Sequence, residues 1–127
     1  MKEPLKRGQK EILESKLTVV ENQYPDRDYE VNITLPEFTC LCPISGYPDF
    51  AEIRVKYIPD KHIIELKSLK LYINRFRDQF IFHEEAVNRI LDDLVKVCHP
   101  RWMEVVGDFN PRGNVKTVVR AEHKKKS

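Results

Sequence analysis

The chain has 127 residues, with 22 Lys and Arg against 20 Asp and Glu, and three cysteines. That length suffices for one domain with its own core, without metals or disulfides. An odd cysteine count, with no apolar run long enough for a signal core or a membrane span, fits a reduced, cytoplasmic protein with no membrane partner. The positive charge sits at the ends: residues 1–10 hold four basic groups and one acid, and Lys124–Lys126 add three more. The body between them has 15 basic against 19 acidic residues (22 less 7, and 20 less 1), which is no basic face for nucleic acid. Residues 1–15 read as a disordered basic end, 16–123 as one domain and 124–127 as a basic tail.

In chain order, DYEVNITLPEF (28–38) has loosely alternating β-branched residues and predicts a strand that stops at Pro36. FAEIRVKYIPD (50–60) predicts a cleaner strand, with Ala51, Ile53, Val55 and Tyr57 on one face and Glu52, Arg54 and Lys56 on the other. A turn at PDKH and a short extended piece at IIEL follow. Leu69, Tyr72, Ile73, Phe76 and Phe80 then fall at helical spacing, with Ser68 placed to cap. A second helix carries Ala86, Val87, Ile90, Leu91, Leu94, Val97 and Cys98 on one stripe and stops at His99-Pro100. WMEVVGDF and VKTVVRAEH flank NPRGN, a composition suited to a hairpin turn. The order is strand, strand, helix, helix, strand, strand. That is an α+β domain in which two helices cover a four-stranded antiparallel sheet. Its open edges invite pairing with further copies of the chain.

EFTCLCPISGYPDF (37–50) places two cysteines one residue apart, ahead of a Pro/Gly turn and an aspartate. Three readings compete for the pair. A metal site would draw on Cys40, Cys42, His62, His83, Cys98, His99 and His123, but these residues complete no zinc-site spacing. Burial as small hydrophobes suits Cys98 and one of the pair. The third reading is a reactive thiol at Cys42, where Pro43 breaks the strand, with Asp49 seven residues on across a loop short enough to fold back. In ELKSLKLY (65–72), Lys67 and Lys70 open a helix behind Glu65. They form either a solvated face with Glu65 complementing the dipole, or an anion site built with free helix N–H groups. In FHEEAV (82–87), His83, Glu84 and Glu85 open the second helix, where acids cap by default. A carboxylate there can also accept two hydrogen bonds from a guanine-like edge.

Together these stretches resemble the single-domain NADPH-dependent 7-cyano-7-deazaguanine reductases, the nitrile reductases of queuosine biosynthesis. The resemblance rests on Glu65-Leu66-Lys67-Ser68-Leu69-Lys70-Leu71-Tyr72, on Leu41-Cys42-Pro43 with Pro48-Asp49, on His83-Glu84 and on Arg112-Gly113. It spans roughly residues 30–122. It implies the tunnelling fold, whose subunits join edge to edge into barrel rings that stack, here as a decamer of two pentamers. It implies Cys42 as nucleophile toward the nitrile and Asp49 as proton donor, with a carboxyl pKa raised by burial between Pro48 and Phe50. It implies substrate contacts at Ile64, Glu65, Leu66, His83 and Glu84. NADPH would be held by Lys67, Lys70, Arg112 and Gly113, with no Gly-rich dinucleotide fingerprint, and no metal would be required. Cys40 receives no role. The related fold of zinc-dependent GTP cyclohydrolases supplies an alternative function, and a small interaction domain with an incidental cysteine pair is a third.

Overall fold

The computed structural model describes residues 3–126. Its elements are α1 (Arg7–Glu14), β1 (Val19–Glu21), β2 (Val31–Leu41), β3 (Pro48–Ile58), β4 (His62–Ile64), α2 (Leu66–Asn74), a 3₁₀ turn (Arg75–Asp78), α3 (His83–Cys98), β5 (Trp102–Arg112) and β6 (Val115–Lys124). The main sheet is antiparallel in the order β2-β3-β5-β6, so β2 and β6 are its edges, and β1 pairs with β4 in a separate two-stranded ribbon. The α+β class and the strand–helix order are as the sequence pattern predicts.

Alternation sets the core. Ala51, Ile53, Val55 and Tyr57 of β3 and Met103, Val105 and Phe109 of β5 face inward and are buried. Helix α3 lays Ala86, Val87, Ile90, Leu91, Leu94 and Cys98 over that face. The helix ends where His99 turns left-handed (φ 47°) ahead of Pro100. Phe38 joins the layers, with its ring centroid 5.5 Å from that of Phe76 and 6.1 Å, edge-on, from that of Phe109.

Four local expectations are corrected. Pro36 does not end β2, because the strand passes it through a register shift between Leu35 and Phe38, and an edge-strand bulge tolerates the missing N–H. Ser68 is not the α2 cap. It is buried inside the helix, donating to Glu65 O at 2.8 Å, while Glu65 is the N-cap. Helix α2 yields to the 3₁₀ turn after Asn74, so Phe80 leaves the helical face and is exposed. The ends are also more ordered than their composition suggests. Residues Arg7–Glu14 form a helix with no buried residue, and Arg75 donates to Ile12 O and Ser15 Oγ beside it. Lys124 closes β6, and Lys125 N donates to Arg101 O. Strand β1 was not predicted, since three residues are too few for a period to show.

Gly107 lies on the inward face of β5 beneath α3. A Cβ there would sit 2.5 Å from Val87 Cγ2 and 2.9 Å from Phe109 Cε2. Val87 is fully buried and β-branched, so it has little freedom to yield. Gly107→Ala should therefore destabilise the fold by about 1–3 kcal/mol, read as a lower urea midpoint with an unchanged slope.

Candidate active site

Three chain segments meet at one end of the sheet. The first is the turn after β2. Cys42 N donates to Tyr47 O and Gly46 N to Cys42 O, both at 2.9 Å, which closes residues 42–47 into a compact loop. Gly46 sits at φ 77°, a conformation that costs other residues. The second is the strap before α3. Leu41 N donates to Gln79 O at 2.9 Å and Ile81 N to Leu41 O at 3.0 Å, pinning residues 79–81 to the end of β2. Helix α3 starts two residues later, which brings His83 and Glu84 beside Cys42. The third is the β5–β6 hairpin, where Gly113 (φ 56°) and Asn114 (φ 71°) are the central residues of a tight turn and Arg112 pairs with Val115.

These segments line a cleft of ≈ 570 Å³, with Cys42, Asp49, Phe82, His83, Glu84 and Arg112 on its walls. Asp49 is buried, occupying the first inward position of β3 opposite Cys40. Its Oδ1 accepts from Arg112 Nη1 at 2.7 Å, and its Oδ2 lies 3.1 Å from His83 Nε2. The imidazole of His83 stacks on Phe109 at 3.7 Å with the planes 8° apart. Arg112 also donates from Nη2 to Ser45 Oγ at 2.7 Å. The Asp49 carboxylate raises the pKa of this guanidinium, keeping it charged. Pro48 and Phe50 do not bury Asp49, contrary to expectation. They are its neighbours along the strand and so point to the other face, Phe50 being 51% exposed. Arg112 and His83 cover it instead.

The three thiols are free and differ sharply. Hydrogen bonds from the Ser45 hydroxyl and from the N–H groups of Ser45 and Ile44 draw Cys42 down to about 7, with a smaller pull from Arg112. Burial pushes Cys40 up to about 12 and Cys98 up to about 11. Cys42 is thus the one thiol of the chain suited to nucleophilic chemistry near neutrality.

Of the residues singled out in the sequence, Cys42, Asp49, His83, Glu84, Arg112 and Gly113 converge on this cleft. Ile64, Glu65, Leu66, Lys67 and Lys70 do not line it. Ile64 is packed into the core. The Glu65 carboxylate caps α2, accepting from Lys67 N at 2.6 Å and Ser68 N at 2.9 Å, so those helix N–H groups are not free for an anion. Lys67 and Lys70 are exposed on α2. Glu84 is exposed, and among the described residues nothing pairs with its carboxylate. Among those residues no group of three or more His, Cys, Asp or Glu is arranged to hold a metal ion, and no helix is long and apolar enough to cross a membrane.

The model of the QueF-like protein family matches residues 48–127. A protein of Microcystis aeruginosa called NADPH-dependent 7-cyano-7-deazaguanine reductase is 57% identical over 121 residues, covering 95% of this chain and 92% of its own. The protein of that name from Aquifex aeolicus is 59% identical over 115 residues, covering 91% and 89%. The chain belongs to the NADPH-dependent 7-cyano-7-deazaguanine reductase family. The crystal structure of the archaeosine synthase QueF-Like in the apo form aligns with a TM-score of 0.71 at 24% identity, over 77% of this chain and 96% of that one, which shows a shared fold.

Among the residues that sequence reasoning missed are Tyr47, which lines this reductase-family cleft, and Ser45 and Phe109, which hold Arg112 and His83 at its edge. The first two lie in a turn without period. Phe109 was read only as part of a strand. Its inward position at the end of β5 was the one available signal.

Cys42 should react with iodoacetamide along a titration centred at about 7, slowing as pH falls below it because the protonated thiol is inert. Cys40 and Cys98 should stay unmodified in the folded chain, as peptide mass mapping would show.

Proposed function

We propose that this chain reduces the nitrile of 7-cyano-7-deazaguanine to an aminomethyl group at the expense of NADPH, through a thioimidate on Cys42, in the queuosine pathway of a reducing cytoplasm. The observation that carries this reading is a thiol lowered to about 7 in the same cleft as a buried aspartate held on both oxygens. The names and identities of the relatives support the substrate and the cofactor.

The chemistry assigns each group a task. A free nitrile accepts hydride poorly. Attack by the Cys42 thiolate forms a C–S bond and shifts an electron pair to nitrogen, which needs a proton. Asp49 stands at the head of β3 to deliver it, with His83 beside it as the route of resupply. Glu84 offers an unpaired acceptor to the N–H and NH₂ edge of the base. NADPH, when bound, would supply one hydride, so two molecules of it are consumed in succession for each nitrile. Between them the thiohemiaminal collapses, returning sulfur as thiolate and leaving an imine. Arg112 fits the cofactor's phosphates in charge, although its donors already engage Asp49 and Ser45. Lys67 and Lys70 are exposed cations free of the cleft and suit the same phosphates, while Gly113 leaves room for close approach.

We further infer that the α2 residues reach the reaction from a neighbouring copy. Ring assembly in the tunnelling fold would pair the free β6 edge with another subunit. Tyr47, Phe82 and Val115 line the cleft with large exposed apolar side chains, and Ile44 adds another from the turn after Cys42, all of which a second copy would cover. Set against Ile64, Glu65, Leu66, Lys67 and Lys70 of that copy, each cleft would be complete at a subunit boundary. Light scattering should therefore give a large homo-oligomer, of decamer size, and a monomer at micromolar concentration would defeat this.

Mixing the protein with the nitrile in the absence of NADPH should add the mass of the substrate to Cys42. Cys42→Ala should abolish adduct and turnover. Asp49→Asn should lower turnover by roughly 10²–10⁴-fold, the range of general acid catalysis, because an amide does not give up the proton. Cys40→Ala should keep most of the activity. An adduct on Cys40, or full turnover in Cys42→Ala, would overturn the mechanism.

A further inference from the structure

His83 is the first residue of α3, and Phe82 before it makes no side-chain cap. Its imidazole hangs from two rotatable bonds, and among the described residues its polar contact is Asp49 Oδ2, 3.1 Å from Nε2. One such contact leaves a planar ring free to swing about its bond to Cβ, where the torsion is broad. Each swing carries Nε2 away from the carboxylate. Phe109 removes that freedom. The two ring centroids are 3.7 Å apart with the planes 8° from parallel, so a rotation of the imidazole drives its edge into the benzene face. Aromatic pairs left to themselves prefer offset or edge-on arrangements. This stack is therefore imposed by its frame. Phe109 is fully buried, the ring of Phe38 meets it edge-on at 6.1 Å, and a Cβ on Gly107 would fall 2.9 Å from its Cε2. Across the ladder it pairs with Ala51, one inward step along β3 from Asp49. The ring beneath His83 and the carboxylate in front of it are thus set by the same two strands.

We propose that Phe109 is a positioning residue for the reduction, its ring fixing the plane of His83 so that Nε2 stays on Asp49. This rests on Asp49 being the proton donor and His83 its route of resupply. Phe109 has no place on the cleft wall, so it touches neither substrate nor cofactor. Its link to the reacting groups is the imidazole stacked on it. A nitrile takes up two protons with its two hydrides on the way to an amine, so Asp49 has to be recharged within each turnover. Recharging is the step at which the aim of Nε2 counts. A ring that wandered between deliveries would leave Asp49 waiting on water from the open cleft.

The test is the steady-state kinetics of Phe109→Leu, which keeps apolar bulk without a flat face, alone and combined with His83→Ala. In the otherwise unmodified chain kcat should fall by roughly 10–100-fold, the scale of a misplaced reacting group, while KM for NADPH stays the same. In the His83→Ala background, where water takes over the resupply, the same substitution should lower kcat no further, because residues acting as one unit are not additive. The stack itself is read by NMR on labelled histidine. Protons held over a benzene face are shifted upfield, so the ring signals of His83, identified by their loss in His83→Ala, should lie upfield of those of the other three histidines. They should move downfield in Phe109→Leu. Signals of His83 without that shift in the unmodified chain, an equal loss of kcat in both backgrounds, or a raised KM with kcat kept would each overturn the proposal. Should Phe109→Leu fail to fold, Phe109→Met puts the same question with a more pliable side chain, and the NMR of the unmodified chain still decides. His83→Ala by itself separates this claim from the reading beneath it. If that variant turns over like the unmodified chain, the proton route through His83 fails and the proposal falls with it. If it is slow while Phe109→Leu is not, Phe109 alone is wrong.

Discussion

Asp49 occupies the first inward position of a strand whose other inward positions are Ala51, Ile53, Val55 and Tyr57. A carboxyl group there has lost most of its water, and an oxygen left without a donor would cost about 1–3 kcal/mol. Meeting that demand recruits the ends of two other elements. Arg112 reaches Oδ1 because the β5–β6 hairpin turns tightly through two residues at positive φ. His83 faces Oδ2 because residues 79–81 are stitched to β2 immediately before α3 begins. The imidazole is then steadied on Phe109, and the close approach of Phe109 to α3 depends on the missing side chain at Gly107.

The same constraint shapes the electrostatics of the thiol. An ionised Cys42 and an ionised Asp49 within one cleft repel, and like charges at short range raise the pKa of at least one partner. Cys40 registers that field, since Asp49 and Cys42 both push its thiol further up. Arg112 offsets it. Its two terminal nitrogens divide between Asp49 and Ser45, so one guanidinium ties the buried carboxylate to the turn that follows Cys42. Planar, bidentate geometry is what allows this, and a lysine at the hairpin would supply charge without the fork.

Much of this was legible in the sequence because it follows from period and from turn chemistry. Alternation in residues 50–58 fixed which side chains of β3 face the core. Asp49 lies one step back in the same alternation, although the sequence places it only across a Pro/Gly loop from Cys42. The helical stripe from Ala86 to Cys98 placed α3 over that face, and Gly113-Asn114 marked the hairpin that presents Arg112. What stayed hidden depended on contacts between distant segments. Nothing local says that Ser68 would be drawn inside, where its hydroxyl accepts from Thr18 N, leaving Glu65 to cap the helix. Nor does composition reveal that residues 79–81 pair with β2. The split of the family's site residues between the cleft and α2 is likewise a property of the folded chain, since the two groups are interleaved along it.

The contrast between Cys40 and Cys42 shows how little chain separates an inert thiol from a reactive one. They stand two residues apart, Cys40 in β2 and Cys42 just past its end. Cys40 remains within the paired strand, fully buried, its thiol directed at Ile81 O at 3.8 Å. Desolvation dominates there, and a negative charge has no donor to receive it. Past Leu41 the ladder to β3 ends, and Pro43 and Gly46 bend the chain into a closed turn. In such a turn consecutive N–H groups no longer alternate across a sheet. In this one the N–H groups of Ser45 and Ile44 add, after the Ser45 side chain, to the lowering of the Cys42 thiol. The step from about 12 to about 7 between the two thiols follows the chain out of the sheet: burial raises Cys40, while the Ser45 side chain, and after it the Ser45 and Ile44 N–H groups, lower Cys42. The proline that ends the strand and the glycine that closes the turn are as much a part of the reactive thiol as the cysteine itself.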